Sequence, residues 1–153
     1  NDRLPTDMHG VEVVETAAAF REALAVRYAV FVDEQGVPAS IEVDDHEEEA
    51  THFLARVDGE PEAVGTVRYR TAESGAAKIE RVAVRAAHRG DGWGARLMDA
   101  VEAHARETGH GRAVLDAQTS AAGFYAARGY ERVGDVFDEA GIPHVTMERG
   151  LGE

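Results

Sequence analysis

Arg89-Gly90-Asp91-Gly92-Trp93-Gly94-Ala95 is the stretch on which the reading of the fold turns. It follows a strand-like run, residues 78–84, in which Ile79, Arg81 and Ala83 are expected to face opposite to Glu80, Val82 and Val84. It precedes a helical run, residues 92–107, with Leu97, Met98, Val101 and His104 or Ala105 as its apolar stripe. Glycines at alternate positions let the backbone reverse and expose its N–H groups, and the start of the following helix adds partial positive charge. A pyrophosphate can be held there without a pocket of lysines, and Arg89 would add a formal charge. A turn needed only to reverse the chain does not require three such glycines.

The same letters satisfy the dinucleotide fingerprint G-x-G-x-x-G/A, with Asp116 about the right distance downstream to meet a ribose hydroxyl. Chain order separates the two readings. A dinucleotide fold places its fingerprint after the first strand of a parallel, doubly wound sheet, whereas hairpin-connected strands precede this loop and little chain follows Asp116. A Walker-type phosphate loop is excluded, because no Lys-Ser or Lys-Thr follows the glycines.

Working outward, residues 11–15 read as a first strand and Thr16 as the N-cap of a helix that packs by Phe20, Leu24, Tyr28 and Phe31. Gly36 and Pro38 break that run, and an acidic segment follows with Glu42, Asp44, Asp45, Glu47, Glu48 and Glu49. It would suit recruitment of a cationic amine, although a solvated surface segment is the plainer reading. Residues 51–57 and 62–70 read as strands around an Asp58-Gly59 turn, and Ser74-Gly75 leads into the strand before the glycine loop. Residues 112–117 are strand-like, 121–127 helical, and 130–136 with 144–149 form two closing strands around Gly141-Ile142-Pro143. The expectation is one domain over residues 1–153, of mixed α and β class.

Composition narrows the function. The net charge of -13, from 29 acidic and 16 basic residues, repels nucleic-acid phosphates and anionic lipid. Against that acidity, Arg81, Arg85, His88, Arg89 and Arg96 form a local basic run, which points to an anionic ligand. The lack of cysteine removes disulfides, thiolate metal sites and a catalytic thiol. No stretch is apolar enough to span a bilayer and the first ten residues lack a secretory pattern, so a cytoplasmic protein is expected. His9, His46, His52 and His88 show no metal-ligand spacing, and no metal is expected.

Three segments in order carry a resemblance: Ile79-Glu80-Arg81-Val82-Ala83-Val84, the glycine loop, and Phe124-Tyr125-Ala126-Ala127-Arg128-Gly129-Tyr130. Together they resemble the GNAT superfamily of N-acetyltransferases over nearly the whole chain. Phe31-Val32-Asp33-Glu34-Gln35-Gly36-Val37-Pro38, Ala117-Gln118 and Gly141-Ile142-Pro143-His144 look like the ElaA-type subgroup. Trp93 departs from the smaller aliphatic residue usual there. The resemblance implies a mostly antiparallel central sheet, splayed between the strands carrying Val84 and Asp116, with helices on both faces. It implies acetyl-CoA as co-substrate, with Val82, Ala83 and Val84 along the pantetheine arm and Arg89, Gly90, Asp91, Gly92, Trp93, Gly94 and Ala95 around the pyrophosphate. Gln118, Phe124, Tyr125 and Arg128 would border the coenzyme from the other side. A homodimer is common in the family, but no interface signal stands in the sequence.

Acetyl transfer to an amine needs a neutral nitrogen, a polarised thioester carbonyl and support for the departing thiolate. Glu80, an acid among apolar and basic strand residues, stands at the family's base position, and its alternative is a carboxylate paired with Arg81 or Arg68. Tyr125 stands at the family's acid position, and its alternative is an aromatic filling core. The backbone N–H of Val82 would meet the oxyanion. Glu34, His52 and His144 are further candidates for the acceptor pocket or the base. An N-acetyltransferase acting by direct attack is the first reading. A non-catalytic acyl-CoA-binding module of the same fold and a dinucleotide-dependent oxidoreductase are the alternatives.

Overall fold

A computed structural model describes residues 10–42 and 44–152, Ile41 and Glu42 by backbone alone. The expectations resting on His9, the first nine residues and the Glu42 side chain lie outside the described residues. Among the described residues seven strands form one sheet: β1 (Val11–Val13), β2 (Thr51–Ala55), β3 (Gly65–Thr71), β4 (Ala77–Val84), β5 (Arg112–Gln118), β6 (Glu131–Glu139) and β7 (Ile142–Gly150). Their spatial order is β1-β2-β3-β4-β5-β7-β6, and every pairing is antiparallel except β4 with β5. The helices are α1 (Ala17–Arg27), the short α2 (Ala39–Glu42), α3 (Trp93–Glu107) and α4 (Ala122–Ala127). This is the mixed, mostly antiparallel α+β fold expected, with no place for the doubly wound dinucleotide alternative.

Strand alternation divides the core between the two sheet faces. On β2, Phe53 joins the cluster around Leu97, Met98, Val101 and Ala105 of α3, while its neighbour Leu54 joins Ala19, Ala23 and Val26 of α1. Each fully buried side chain of the size of Leu97 or Leu54 contributes about 1.5–3 kcal/mol relative to exposure.

The N-terminal helix corrects the expected packing face. Thr16 does cap it, its Oγ1 accepting the Ala19 N–H at 3.0 Å. The sheet, however, receives Ala19, Ala23, Val26 and Val30, while Phe20, Leu24 and Phe31 are only half-buried and Tyr28 is exposed. Small residues let α1 lie close on the sheet, and the helix widens into a π-helical segment over Tyr28–Glu34. That widening shifts every later side chain off a 3.6-residue period.

β4 also departs from strict alternation. Thr66 pairs with Ala83 and Arg68 with Glu80, so one extra residue is accommodated on β4 opposite Val67. Arg81 supplies the kink with φ of +60°, an uncommon value for a residue with a side chain. Ile79 therefore faces the α3 cluster with Val82 and Val84, and Ala83 faces α1. The β2–β3 strands end earlier than expected, at the pair Ala55 and Gly65. The β6–β7 turn is made by Ala140 and Gly141, both at positive φ, and Ile142 and Pro143 belong to β7. Among the described residues no helix is long and apolar enough to cross a membrane.

Candidate active site

β4 and β5 pair for three residues only, Ala77, Lys78 and Ile79 with Ala113, Val114 and Leu115. Beyond these the strands part, and a cavity of about 310 Å³ opens between them. Val82, Ala83 and Val84 form one wall and Ala117 and Gln118 the other. Val30 and Phe31 of the π-helical segment and Gln35 just after it cover it, Tyr125 of α4 borders it, and Ile142 and His144 of β7 close the far end. The Gln118 amide donates to Gln35 Oε1 at 2.9 Å, which ties β5 to the covering segment.

The glycine loop lies between β4 and α3, as expected. Gly90 and Gly92 adopt φ of +87° and +86°, and Gly92 caps α3. The first helical hydrogen bond runs from the Arg96 N–H to the Gly92 carbonyl, so the N–H groups of Trp93, Gly94 and Ala95 have no partner within the helix. Trp93 brings only its backbone to the loop. Its indole is buried in the α3-side core against Gly10, with the Arg96 guanidinium 4.5 Å above the ring. Asp91 is exposed. Phe124 lies beside Gly94, where an added Cβ would meet its Cζ at 3.5 Å. Arg89 folds back, donating from Nε to the Val84 carbonyl at 2.9 Å and from Nη2 to Glu34 Oε1 at 2.6 Å. Arg128 is not brought to the cavity, because its guanidinium is engaged by Asp99 at 2.7 Å and Glu102 at 2.8 Å.

Tyr125 is 8% exposed, and its hydroxyl has no protein partner among the described residues. Burial pushes its pKa up to about 12, with the Arg128 charge working the other way. The phenol therefore keeps its proton across the neutral range. Glu80 lines the cavity but is gripped from behind. Its Oε1 meets Arg68 Nη2 at 2.9 Å and Arg70 Nε at 3.1 Å, and its Oε2 accepts from Arg70 Nη2 at 3.3 Å. The expected partner Arg68 is found, Arg70 joins it, and Arg81 turns to Asp44 at 3.3 Å.

His144 lines the cavity, whereas His52 and Glu34 do not. His52 is buried edge-on to Phe20, with Nε2 at 2.9 Å from the Glu47 carbonyl. Burial holds its pKa below the ordinary histidine value against the raising effect of Glu47.

The acidic segment is neither a solvated coat nor a surface open to cations along its whole length. Arg27 and Arg68 are each 1% exposed, and between them they hold Glu47 and Asp44. Sequence reasoning missed this network, and it missed Lys78, which pairs with Asp116 at 3.1 Å on the cavity wall while Thr146 donates to Asp116 at 2.7 Å. Asp116 was noticed as a ribose ligand and as a marker of the strand across the splay, without its partner Lys78. The alternation of Lys78 with Ile79 is the signal that could have directed Lys78 toward the gap.

A family model described as an acetyltransferase (GNAT) domain matches residues 11–151. The chain belongs to the GNAT acetyltransferase family. Among curated proteins it is similar to the uncharacterised N-acetyltransferase YjcF of Bacillus subtilis, 39% identical over 88% of this chain and 95% of that one. Among solved structures it is similar to an acyl-CoA N-acyltransferase from Pseudomonas aeruginosa, at TM-score 0.79 and 29% identity over 91% of this chain and 98% of the other. It is similar also to Escherichia coli ElaA, at TM-score 0.78 and 27% identity over 91% of this chain and 99% of the other. An aminoglycoside 6'-N-acetyltransferase complexed with coenzyme A shares the fold, at TM-score 0.72 and 16% identity over 92% of this chain and 96% of the other. In this GNAT chain the departure at Trp93 is accommodated by turning the indole inward, so the loop backbone remains open.

Proposed function

We propose that this GNAT chain is an N-acetyltransferase that moves the acetyl group of acetyl-CoA to a primary amine of a small molecule or peptide. The observation that carries the reading is the parting of β4 and β5 beside a Tyr125 hydroxyl that has no hydrogen-bond partner among the described residues. The residues present fit the coenzyme. The amides of Trp93, Gly94 and Ala95 and the loop of Gly90, Asp91 and Gly92 suit the diphosphate, and the edge of Val82, Ala83 and Val84 suits the amide-bearing arm. Phe124 and Gln118 flank that path, and Arg89 reaches it by leaving Glu34. Acetyl-CoA supplies a thioester carbonyl and a leaving thiolate.

Val82 contributes its N–H to the carbonyl oxygen, and Tyr125 contributes its O–H to the departing sulfur. With no cysteine to carry an acyl group, the amine attacks directly in a ternary complex. Glu80 stays at the cavity wall as a carboxylate that can orient a water or an ammonium. One domain, a reducing cytoplasmic setting and kinship with the ElaA-like subgroup belong to the same reading, the last supported by the likeness to ElaA.

Tyr125→Phe is expected to lower thiol release about 100-fold or more while leaving acetyl-CoA affinity within about twofold, measured by single-turnover kinetics and calorimetry. Equal rates in both proteins remove Tyr125 from the reaction. A non-catalytic acyl-CoA-binding module is the second reading, favoured by the engagement of Glu80 with Arg68 and Arg70. Tight coenzyme binding with no thiol release across a panel of amines would establish it.

A further inference from the structure

Resting on the acetyltransferase reading, the geometry points to His144 as the group that takes the proton from the attacking amine. Its ring is fixed twice. Nδ1 is 2.7 Å from the Ile142 carbonyl oxygen, and the ring stacks on Phe137 with centroids 6.0 Å apart and planes 26° apart. A carbonyl oxygen only accepts, so Nδ1 carries the hydrogen and the neutral ring keeps its lone pair on Nε2. That nitrogen has no protein partner among the described residues, and His144 lines the cavity from β7, directly opposite Gln118 on β5.

Of the other titratable groups along the cavity, all except Glu139 already have a partner or a different role. Lys78 is paired with Asp116, Arg81 with Asp44, and Arg89 with Glu34. Glu80 is already held by Arg68 and Arg70, so a proton moving onto it would have to displace guanidinium hydrogen bonds. Tyr125 enters as a donor. Glu139, on β6 beside the turn, lines the same cavity and makes no ion pair among the described residues, and its charge favours approach of a cationic amine.

In the step, the neutral amine nitrogen forms a bond to the acetyl carbon and passes one proton to His144 Nε2. The carbon–sulfur bond breaks with its electron pair on sulfur, which the Tyr125 O–H supports. The imidazolium then returns its proton to water.

His144→Gln, His144→Ala and Glu80→Gln are compared with the parent, following thiol release from acetyl-CoA with 1,3-diaminopropane and with water alone as acceptor. The expected result is a loss of about 100-fold or more in rate for both His144 variants, with coenzyme A affinity by calorimetry unchanged. The acid-side fall in rate is less steep in His144→Gln than in the parent, the part due to protonation of the diamine itself remaining in every variant, and added imidazole restores part of the rate to His144→Ala. Glu80→Gln keeps the acid-side fall. Parent turnover with the same acid-side fall in His144→Gln overturns the assignment to His144 alone. Coenzyme binding without thiol release by the parent, with this diamine and across a panel of further amines, overturns the acetyltransferase reading and this inference with it.

Discussion

In the loop before α3 the working groups are main-chain amides, whereas beneath residues 44–49 they are buried side chains. Around Gly90 and Gly92 the positive φ angles and the open helix start leave N–H groups available, and of the loop residues Arg89 alone lines the cavity, with its guanidinium held by Glu34. Beneath residues 44–49, Arg68 meets Asp44, Glu47 and Glu80 at 2.8–2.9 Å, and Arg27 holds Glu47 from the other side. The loop can lose most side chains and keep its chemistry. The network cannot lose one, because buried charges stripped of a partner retain their desolvation cost.

The largest expected effect therefore comes from breaking the network. Arg68→Met is expected to lower unfolding free energy by about 3–5 kcal/mol, read from the urea midpoint, because three carboxylates lose their shared cation. The same experiment has a pH arm. Burial works to raise the pKa of Glu47 and Asp44, but hydrogen bonds and charge from Arg27, Arg68 and Arg81 prevail, leaving Glu47 down at about 2 and Asp44 well below the usual carboxylate range. Depressed folded-state values mean that this stabilisation is present above the unfolded-state values near ~4 and is lost as pH falls through the folded ones. Parent stability should decline on acidification below about pH 4 more steeply than that of Arg68→Met, and parallel pH profiles would detach Arg68 from these carboxyls.

The same contrast explains what was legible in the sequence. The loop is encoded by spacing within a few residues, so the glycines, the helix start and the strand before them were readable in order. The network joins Arg27 to Glu47 and Arg68 to Asp44, partners about 20 residues or more apart that no local periodicity links. The α1 face was misread because Phe20, Leu24 and Tyr28 are the larger apolar residues, yet close packing selected Ala19 and Ala23. The kink at Arg81 was hidden because nothing about an arginine signals positive φ, and it displaced the alternation on which the orientation of residues 81–83 had been based. His144 was readable as a candidate, but its distinction from His52 came only from which ring lines the cavity.

On the loop side a backbone change is expected to act where a side-chain change does not. Gly92→Ala places a Cβ in open space, so its cost is that of holding an L-residue at φ of +86°, about 1–2 kcal/mol. Coenzyme A affinity should fall about tenfold as the loop relaxes, measured by calorimetry alongside the urea midpoint. Gly94→Ala, whose added Cβ makes only ordinary contact with Phe124, is expected to change affinity less. Equal losses at the two positions would mean that crowding and not backbone geometry limits the loop.

Arg89 tests whether any side chain of the loop matters. Its pair with Glu34 is exposed on both sides, and pairs of that kind contribute about 0–1 kcal/mol, so Arg89→Ala should barely move the urea midpoint. If the guanidinium leaves Glu34 for the diphosphate when coenzyme A binds, the variant binds about three- to tenfold more weakly at low salt, and the gap closes as salt is raised. Glu34→Gln then works in the opposite direction, because an arginine no longer held by a carboxylate meets the ligand at less cost. Affinities that do not change in either variant would leave the diphosphate to the amides of Trp93, Gly94 and Ala95 alone, and the contrast between the two regions would be complete.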